Sequence, residues 1–209
     1  MKIVIFGATR GIGRSCVEQA LARGHMVTAA VRNPARLTAS HQRLVVMHCD
    51  VLDTACVTRA VEGQEAVLCA LGTDARRPTT VYSAGTRNII TAMEDRDVRR
   101  LIMVSNFCVL SETPRDLVGR AMLFLGRAYL RNILPDQRQA LEEVRQSHLE
   151  WIAVRPLVLV NSPGRGRYRV ALDGLPIRGR RISRADVAAF MLDQLVSREY
   201  LRTIPAIAW

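Results

Sequence analysis

Residues whose types and spacing can do chemistry begin at Gly7. The run Gly7-Ala8-Thr9-Arg10-Gly11-Ile12-Gly13 follows an apolar segment at 3–6 and precedes Val17, Ala20 and Leu21, which recur at helical spacing before Gly24. A glycine turn between a buried strand and a helix is a phosphate cradle. Gly7 permits the tight turn, while Gly11 and Gly13 let backbone approach a pyrophosphate and let strand pack close to helix. The helix start then offers unpaired N–H groups and the positive end of the helix dipole. Thr9, Arg10 and Ile12 complete the loop. In this setting the pattern points to a bound dinucleotide.

The next apolar segment ends Ala29-Ala30-Val31-Arg32, and that end selects the dinucleotide. An NAD site places Asp or Glu there, about 20 residues beyond the loop, to accept from a ribose hydroxyl. Here no carboxylate is available, and Asn33 and Arg36 follow. The planar guanidinium of Arg32 suits a 2′-phosphate, with Arg10 as a second cation, so the expected cofactor is NADP(H). Asp50 and Val51 are placed to meet the adenine, and Leu71, Gly72 and Thr73 to meet the ribose on the nicotinamide side.

Every one of these residues needs a strand end to hold it. Apolar runs alternate with helical patterns throughout, so the expected fold is α/β, a doubly wound, mainly parallel sheet flanked by helices. Strands are predicted at 2–6, 26–31, 44–48, 66–71, 101–104 and 151–154. Helices are predicted after Gly13 and at 55–61, 80–95 and 186–196. The segment 111–147 is mostly helical in pattern, and its apolar part, 117–134, is expected to pack on the sheet or on a partner subunit rather than on a membrane. Alternation in Tyr168, Val170 and Leu172 predicts a hairpin or extended excursion within 163–182. No repeat or linker interrupts the chain. One domain over 1–209 is expected, with substrate-side elements in about 106–147 and 157–184.

The chain has 209 residues, 49% hydrophobic and 23% charged, which suits one well-buried globular domain. No apolar stretch reaches the roughly 18 residues of a membrane span, and no secretory signal pattern is visible. Cys16, Cys49, Cys56, Cys69 and Cys108 are scattered, odd in number and without C-x-x-C spacing. They are expected to be reduced packing residues of a cytoplasmic protein. His25, His41, His48 and His148 lie away from the strand ends and receive no catalytic role. No His/Cys/carboxylate cluster has metal spacing, so no metal is expected.

The net charge is +11, and Lys2 is the only lysine, so the excess is arginine. Arg165, Arg167, Arg169, Arg178, Arg180, Arg181 and Arg184 crowd into one stretch. A basic stretch can attract nucleic acid, a membrane surface or a small anion. Nucleic acid is not expected, because no recognised binding motif accompanies the stretch and aromatic residues are only 5%.

Several stretches together resemble the flavin reductase/biliverdin IXβ reductase family of atypical short-chain dehydrogenases/reductases, related to the wider NmrA-like group. They are GATRGIGR (7–14), AAVRNPARL (29–37), CDVLD (49–53), ALGT (70–73), PTTVYSAGTRNIITAM (78–93), VALDG (170–174) and RRISRADVAAFML (180–192). The resemblance covers essentially the whole chain, and the run 78–93 and the Leu172-Asp173-Gly174 followed by the Ile182-Ser183 pair are more family-specific than the glycine loop. That loop departs from the family: relatives space their glycines three apart, whereas this chain has G-x-x-x-G-x-G. The resemblance implies a Rossmann-type fold and NADPH-dependent hydride transfer to flavins and linear tetrapyrroles.

The requirements of such a reaction are modest. The nicotinamide must lie flat beside an apolar shelf, and the accompanying proton can come from water. The usual short-chain dehydrogenase acid pair, Tyr-x-x-x-Lys, cannot exist with Lys2 as the only lysine: Tyr82, Tyr129 and Tyr168 are followed four residues on by Thr86, Ile133 and Leu172. The family's serine falls on Asn106, beside Ser105, and its histidine on Val158, near Pro156. Ser105 and Asn106 are therefore the candidates for orienting nicotinamide or acceptor, and Ser105 and Pro156 join the cofactor-binding set. The expected function is an NADPH-dependent reductase of a planar acceptor such as a flavin, quinone or tetrapyrrole, acting as monomer or homodimer. The rival reading is a non-catalytic NADP(H)-binding sensor of NmrA type.

Overall fold

Alternation along the first strand sets up two layers of helices. The computed structural model describes residues 1–73, 77–110, 116–174 and 179–209. In β1 (Lys2–Phe6), Ile3 and Ile5 point to one side of the sheet and Val4 and Phe6 to the other, and all four are buried. Ile3 and Ile5 meet Val17 and Ala20 of α1 (Gly11–Ala22) together with Val187 and Phe190 of α6 (Arg184–Asp193). Val4 and Phe6 meet Val57 of α2 (Thr54–Val61), Ile89 of α3 (Val81–Asp95) and Val144 of α5 (Leu134–Gln146). Each such buried side chain contributes about 1.5–3 kcal/mol.

The remaining strands of the sheet are β2 (Met26–Val31), β3 (Leu44–His48), β4 (Ala66–Cys69), β5 (Arg100–Val104), β6 (Glu150–Pro156), β8 (Arg169–Ala171) and β10 (Ala206–Ala208). Their order is β3-β2-β1-β4-β5-β6-β10-β8. All neighbours are parallel except β8, which runs antiparallel to β10. The first six strands follow the Rossmann order, in which the direction of sheet growth reverses between β1 and β4 and leaves a crevice at the strand ends. β7 (Val158–Val160) and β9 (Arg181–Ser183) form a separate parallel pair.

The predicted strands and helices up to residue 154 appear with shifts of three residues or fewer at their ends. Two expectations need correction, and a third is met only in part. The excursion at 163–182 is not a hairpin, because β8 pairs with β10 and β9 with β7. Its strands take partners far along the chain, which local alternation cannot report. The apolar segment at 117–134 forms α4 (Leu117–Leu130), which meets the sheet as expected through Met122 against Ala206 and Ala208 and buries Gly119 and Leu123, but leaves its other side exposed. Finally, Cys49 and Cys56 are joined as a disulfide, whereas all five cysteines were expected reduced. The turn from β3 into α2 brings their Cα atoms to 5.6 Å, a separation a disulfide spans. Cys16, Cys69 and Cys108 are free and buried.

Candidate functional site

The strand-order reversal opens a cleft of about 580 Å³ at the ends of β1, β2, β4 and β5, lined there by Phe6, Val31, Ala70 and Val104. Two close backbone approaches form its floor. A Cβ on Gly7, whose φ is +78°, would collide with the Ala70 carbonyl, and a Cβ on Gly13 would collide with the Gly7 carbonyl. Glycine at both positions is thus a steric requirement of the turn. Gly7, Thr9, Arg10, Gly11 and Ile12 line the cleft; Gly13 lies beneath it and supplies packing.

The starts of α2, α3, α4 and α6 are satisfied by side chains, while α5 begins without a side-chain cap and has Pro135 in its first turn. Asp53 accepts from Cys56 N–H in α2, Asp116 from Gly119 N–H in α4, and Ser183 from Asp186 N–H in α6. The start of α3 is served from α5, where Asp136 accepts from Tyr82 N–H at 2.8 Å, Ser83 N–H at 3.1 Å and the Ser83 hydroxyl. The start of α1 has no side-chain cap and no acidic residue in its first turn. Its first N–H groups thus remain for an anion in the cleft.

Arg10, Arg32, Arg36 and Arg184 line the same cleft, and no carboxylate does among the described residues. Arg184 was not among the expected site residues. It occupies the first turn of α6, donates from Nη1 to Asn161 Oδ1 at 2.6 Å, and places its Nε 3.6 Å from where a Cβ on Gly11 would stand. Beneath it, Asp186 accepts from the N–H groups of Arg165 and Gly166, both at 2.9 Å, from Trp209 Nε1 at 2.7 Å and from the Ser183 hydroxyl at 2.9 Å. Burial pushes the Asp186 carboxyl up, but these donors together hold it below the usual carboxylate range. The result is a fixed first turn of α6, and with it a fixed Arg184.

On the adenine side, Cys49 and Val51 line the cleft, and Asn88 Nδ2 donates to the Val51 carbonyl at 2.9 Å. Gly85 lets α3 approach this loop, since a Cβ there would press on Val51 and Leu71. Asp50 does not line the cleft, because its carboxylate turns back to accept from Leu52 N–H at 3.0 Å.

The nicotinamide side is apolar, with Leu71, Gly72, Val81, Val104 and Leu159. Thr73 lies just outside the lining, where its N–H donates to Tyr82 Oη at 3.1 Å. Ser105, buried directly after Val104, and Pro156, paired with Ile207, also stand behind the lining. Asn106 is committed to its own loop: Oδ1 accepts from Cys108 N–H at 2.7 Å and Nδ2 donates to Gln137 Oε1. Among the described residues, no His, Lys, Tyr, Asp or Glu side chain lines the cleft.

The family profile described as NAD(P)H-binding matches residues 7–198. The chain belongs to the NAD(P)H-binding family. A relative from Arabidopsis thaliana, an uncharacterized chloroplastic protein, is 30% identical over 207 residues, which cover 95% of this chain and 73% of the relative. A short-chain dehydrogenase/reductase from Veillonella parvula in complex with NADP matches at TM-score 0.82, with 20% identity, over 100% of this chain and 94% of its own. ChuY, an anaerobilin reductase from Escherichia coli O157:H7, matches at TM-score 0.79, with 20% identity, over 100% and 97%. The fold is therefore an NAD(P)H-binding Rossmann domain, as the glycine loop leads one to expect.

For this family the fit of the chain's own residues to a dinucleotide is good. The uncapped α1 start and Arg184 suit the pyrophosphate, and Arg32 with Arg36 suits a 2′-phosphate. No His/Cys/Asp/Glu group among the described residues could hold a metal ion, and none of their helices is long and apolar enough to cross a membrane.

Proposed function

We propose that this chain is an NADPH-dependent reductase that delivers hydride to a planar acceptor such as a flavin, quinone or linear tetrapyrrole. The observation that carries the reading is the composition of the cleft, cationic at the phosphate end and apolar at the other, with no His, Lys, Tyr, Asp or Glu between them among the described residues. Arg32 and Arg36 hold the 2′-phosphate and thereby favour NADPH over NADH. Arg184 and the start of α1 hold the pyrophosphate, and Leu71, Val104 and Leu159 provide the shelf on which the rings lie. When bound, NADPH supplies the hydride, and water supplies the proton that completes the two-electron reduction. A carbonyl acceptor needs an acid beside its oxygen, and the described residues of this cleft offer none; a flavin or quinone, whose reduced form spreads charge over its rings, does not. The structural neighbour ChuY is an anaerobilin reductase, which keeps tetrapyrroles among the acceptors.

The second reading, a non-catalytic NADP(H) sensor, is favoured by the commitment of Asn106 to Gln137 and Cys108. One experiment separates the two. NADPH is mixed with the protein and excess FMN, riboflavin, a naphthoquinone or biliverdin, and the fall in NADPH absorbance is followed. The reductase reading expects turnover with at least one acceptor; tight NADPH binding without turnover on any of them supports the sensor.

A further inference from the structure

We infer that α4, with the arginine cluster beside it, docks on an anionic lipid surface. The helix has 14 residues, and its outward face is almost wholly apolar. Leu117 is 78% exposed, Phe124 73% and Tyr129 72%, with Val118 and Leu125 exposed between them. Ala121 and Ala128 complete the stripe, which recurs at i, i+4, i+7 and i+11 and so forms one continuous face. The opposite face packs inward through Gly119 and Leu123, and Gly126 allows close approach to Phe107 and Cys108. Burying aromatic and leucine side chains away from water is favourable, and among the described residues nothing covers this face.

Charge identifies the partner. Arg120 and Arg131 are exposed, and their spacing puts both along one border of the stripe. Asp116, at the start of the helix, is held by Arg180 at 2.9 Å. Through that contact the helix adjoins a second hollow, lined by Arg165, Arg169, Arg180, Arg181, Ser162 and Trp209. An apolar helical face bordered by arginines is the pattern of helices that lie in the plane of a bilayer, with the apolar side among the acyl chains and the cations at anionic headgroups. A second copy of the chain fits less well. A helix of this length spans about 21 Å and covers on the order of 300 Å², against about 800 Å² per partner in a stable dimer. Two molecules of net charge +11 also repel one another. The inference is independent of the redox reading, since neither α4 nor these arginines line the dinucleotide cleft.

The test is sedimentation of the full chain with vesicles of phosphatidylcholine alone and of phosphatidylcholine mixed with phosphatidylglycerol. Binding is expected to the mixed vesicles only, and to weaken with salt. The paired substitution Phe124→Asp with Leu125→Asp should lower the partition coefficient at least about tenfold, and Arg120→Glu with Arg131→Glu about fivefold per charge removed. Phe124→Trp, which keeps the face apolar, should show a blue shift of emission on the mixed vesicles, so a folding defect in the Asp variant cannot decide the matter. Failure to sediment with mixed vesicles, or binding indifferent to the Asp pair, overturns the proposal. So does a dimer in light scattering that the Asp pair dissociates while vesicles bind nothing, which would make α4 a contact between copies.

Discussion

The guanidinium of Arg184 stands over Gly11, with its Nε 3.6 Å from the point a Cβ on Gly11 would occupy. A cation from the last helix thus meets the phosphate loop at the first. The pyrophosphate is common to both dinucleotides, so Arg184→Ala should weaken NADPH and NADH alike, each about ten- to a hundredfold, from the loss of a charged hydrogen bond. Titration of cofactor fluorescence measures both. Loss confined to NADPH would move Arg184 to the 2′-phosphate instead.

Arg32 is expected to behave differently. With Arg36 it lies at the end of β2, and no carboxylate among the described residues lines the cleft there. Arg32→Ala should cost NADPH about tenfold or more while leaving NADH almost unchanged. Equal losses for the two cofactors would show that Arg32 does not touch the 2′-phosphate.

Asp136 holds the start of α3 from another helix. Removing its carboxylate in Asp136→Ala leaves Tyr82 N–H and Ser83 N–H without that acceptor. The expected destabilisation is about 1–3 kcal/mol, read from chemical denaturation, with Asp136→Asn losing less because one acceptor oxygen remains. Because Val81, at the first turn of α3, lines the cleft and Tyr82 meets Thr73, NADPH affinity should fall in step.

Asp186 makes stability depend on pH. Burial raises its pKa, but the donors from Arg165, Trp209, Gly166 and Ser183 more than offset that, so the folded value lies below the unfolded one. A depressed carboxyl contributes its full stability above the unfolded pKa of about 3.9 and loses it as pH falls through the folded value. Asp186→Asn should cost about 3 kcal/mol near neutral pH, a drop in Tm of about 6–12 °C for a chain of this size. It should also remove part of the acid limb of the stability curve. Thermal melts of both proteins from pH 3 to 7 at constant ionic strength would reveal this, and parallel curves would contradict the assignment.

The parts legible in the sequence share one property, local determination. Ile3 to Phe6 alternates between two buried faces and Gly7 to Gly13 encodes a turn within seven residues, so β1, α1 and the phosphate loop follow from neighbours in the chain. Arg32 was readable because the end of β2 is fixed by the same logic. Arg184 escaped notice although a signal was present. Ser183 and Asp186 form an S-x-x-D capping pattern that starts α6 at Arg184, two residues ahead of the expected position, and aims that arginine at the loop. What was not legible depends on distant pairing. β8 joins β10 and β9 joins β7, and Asp136 finds its donors more than 50 residues away in the chain, at Tyr82 and Ser83. The adenine-side role expected for Asp50 gave way to its hydrogen bond with Leu52, a competition between ligand and local turn that residue type alone does not resolve.

The strand at the end of the sheet bears on how this border meets other chains. β8 is three residues long, runs against its neighbour β10 and carries exposed Arg169. A parallel sheet that simply stopped would present a row of free N–H and C=O groups to any passing chain. A short edge strand with a charged side chain offers few groups for another sheet to add on. The same excursion that brings arginines to the surface therefore also guards this border of the sheet against edge-to-edge growth.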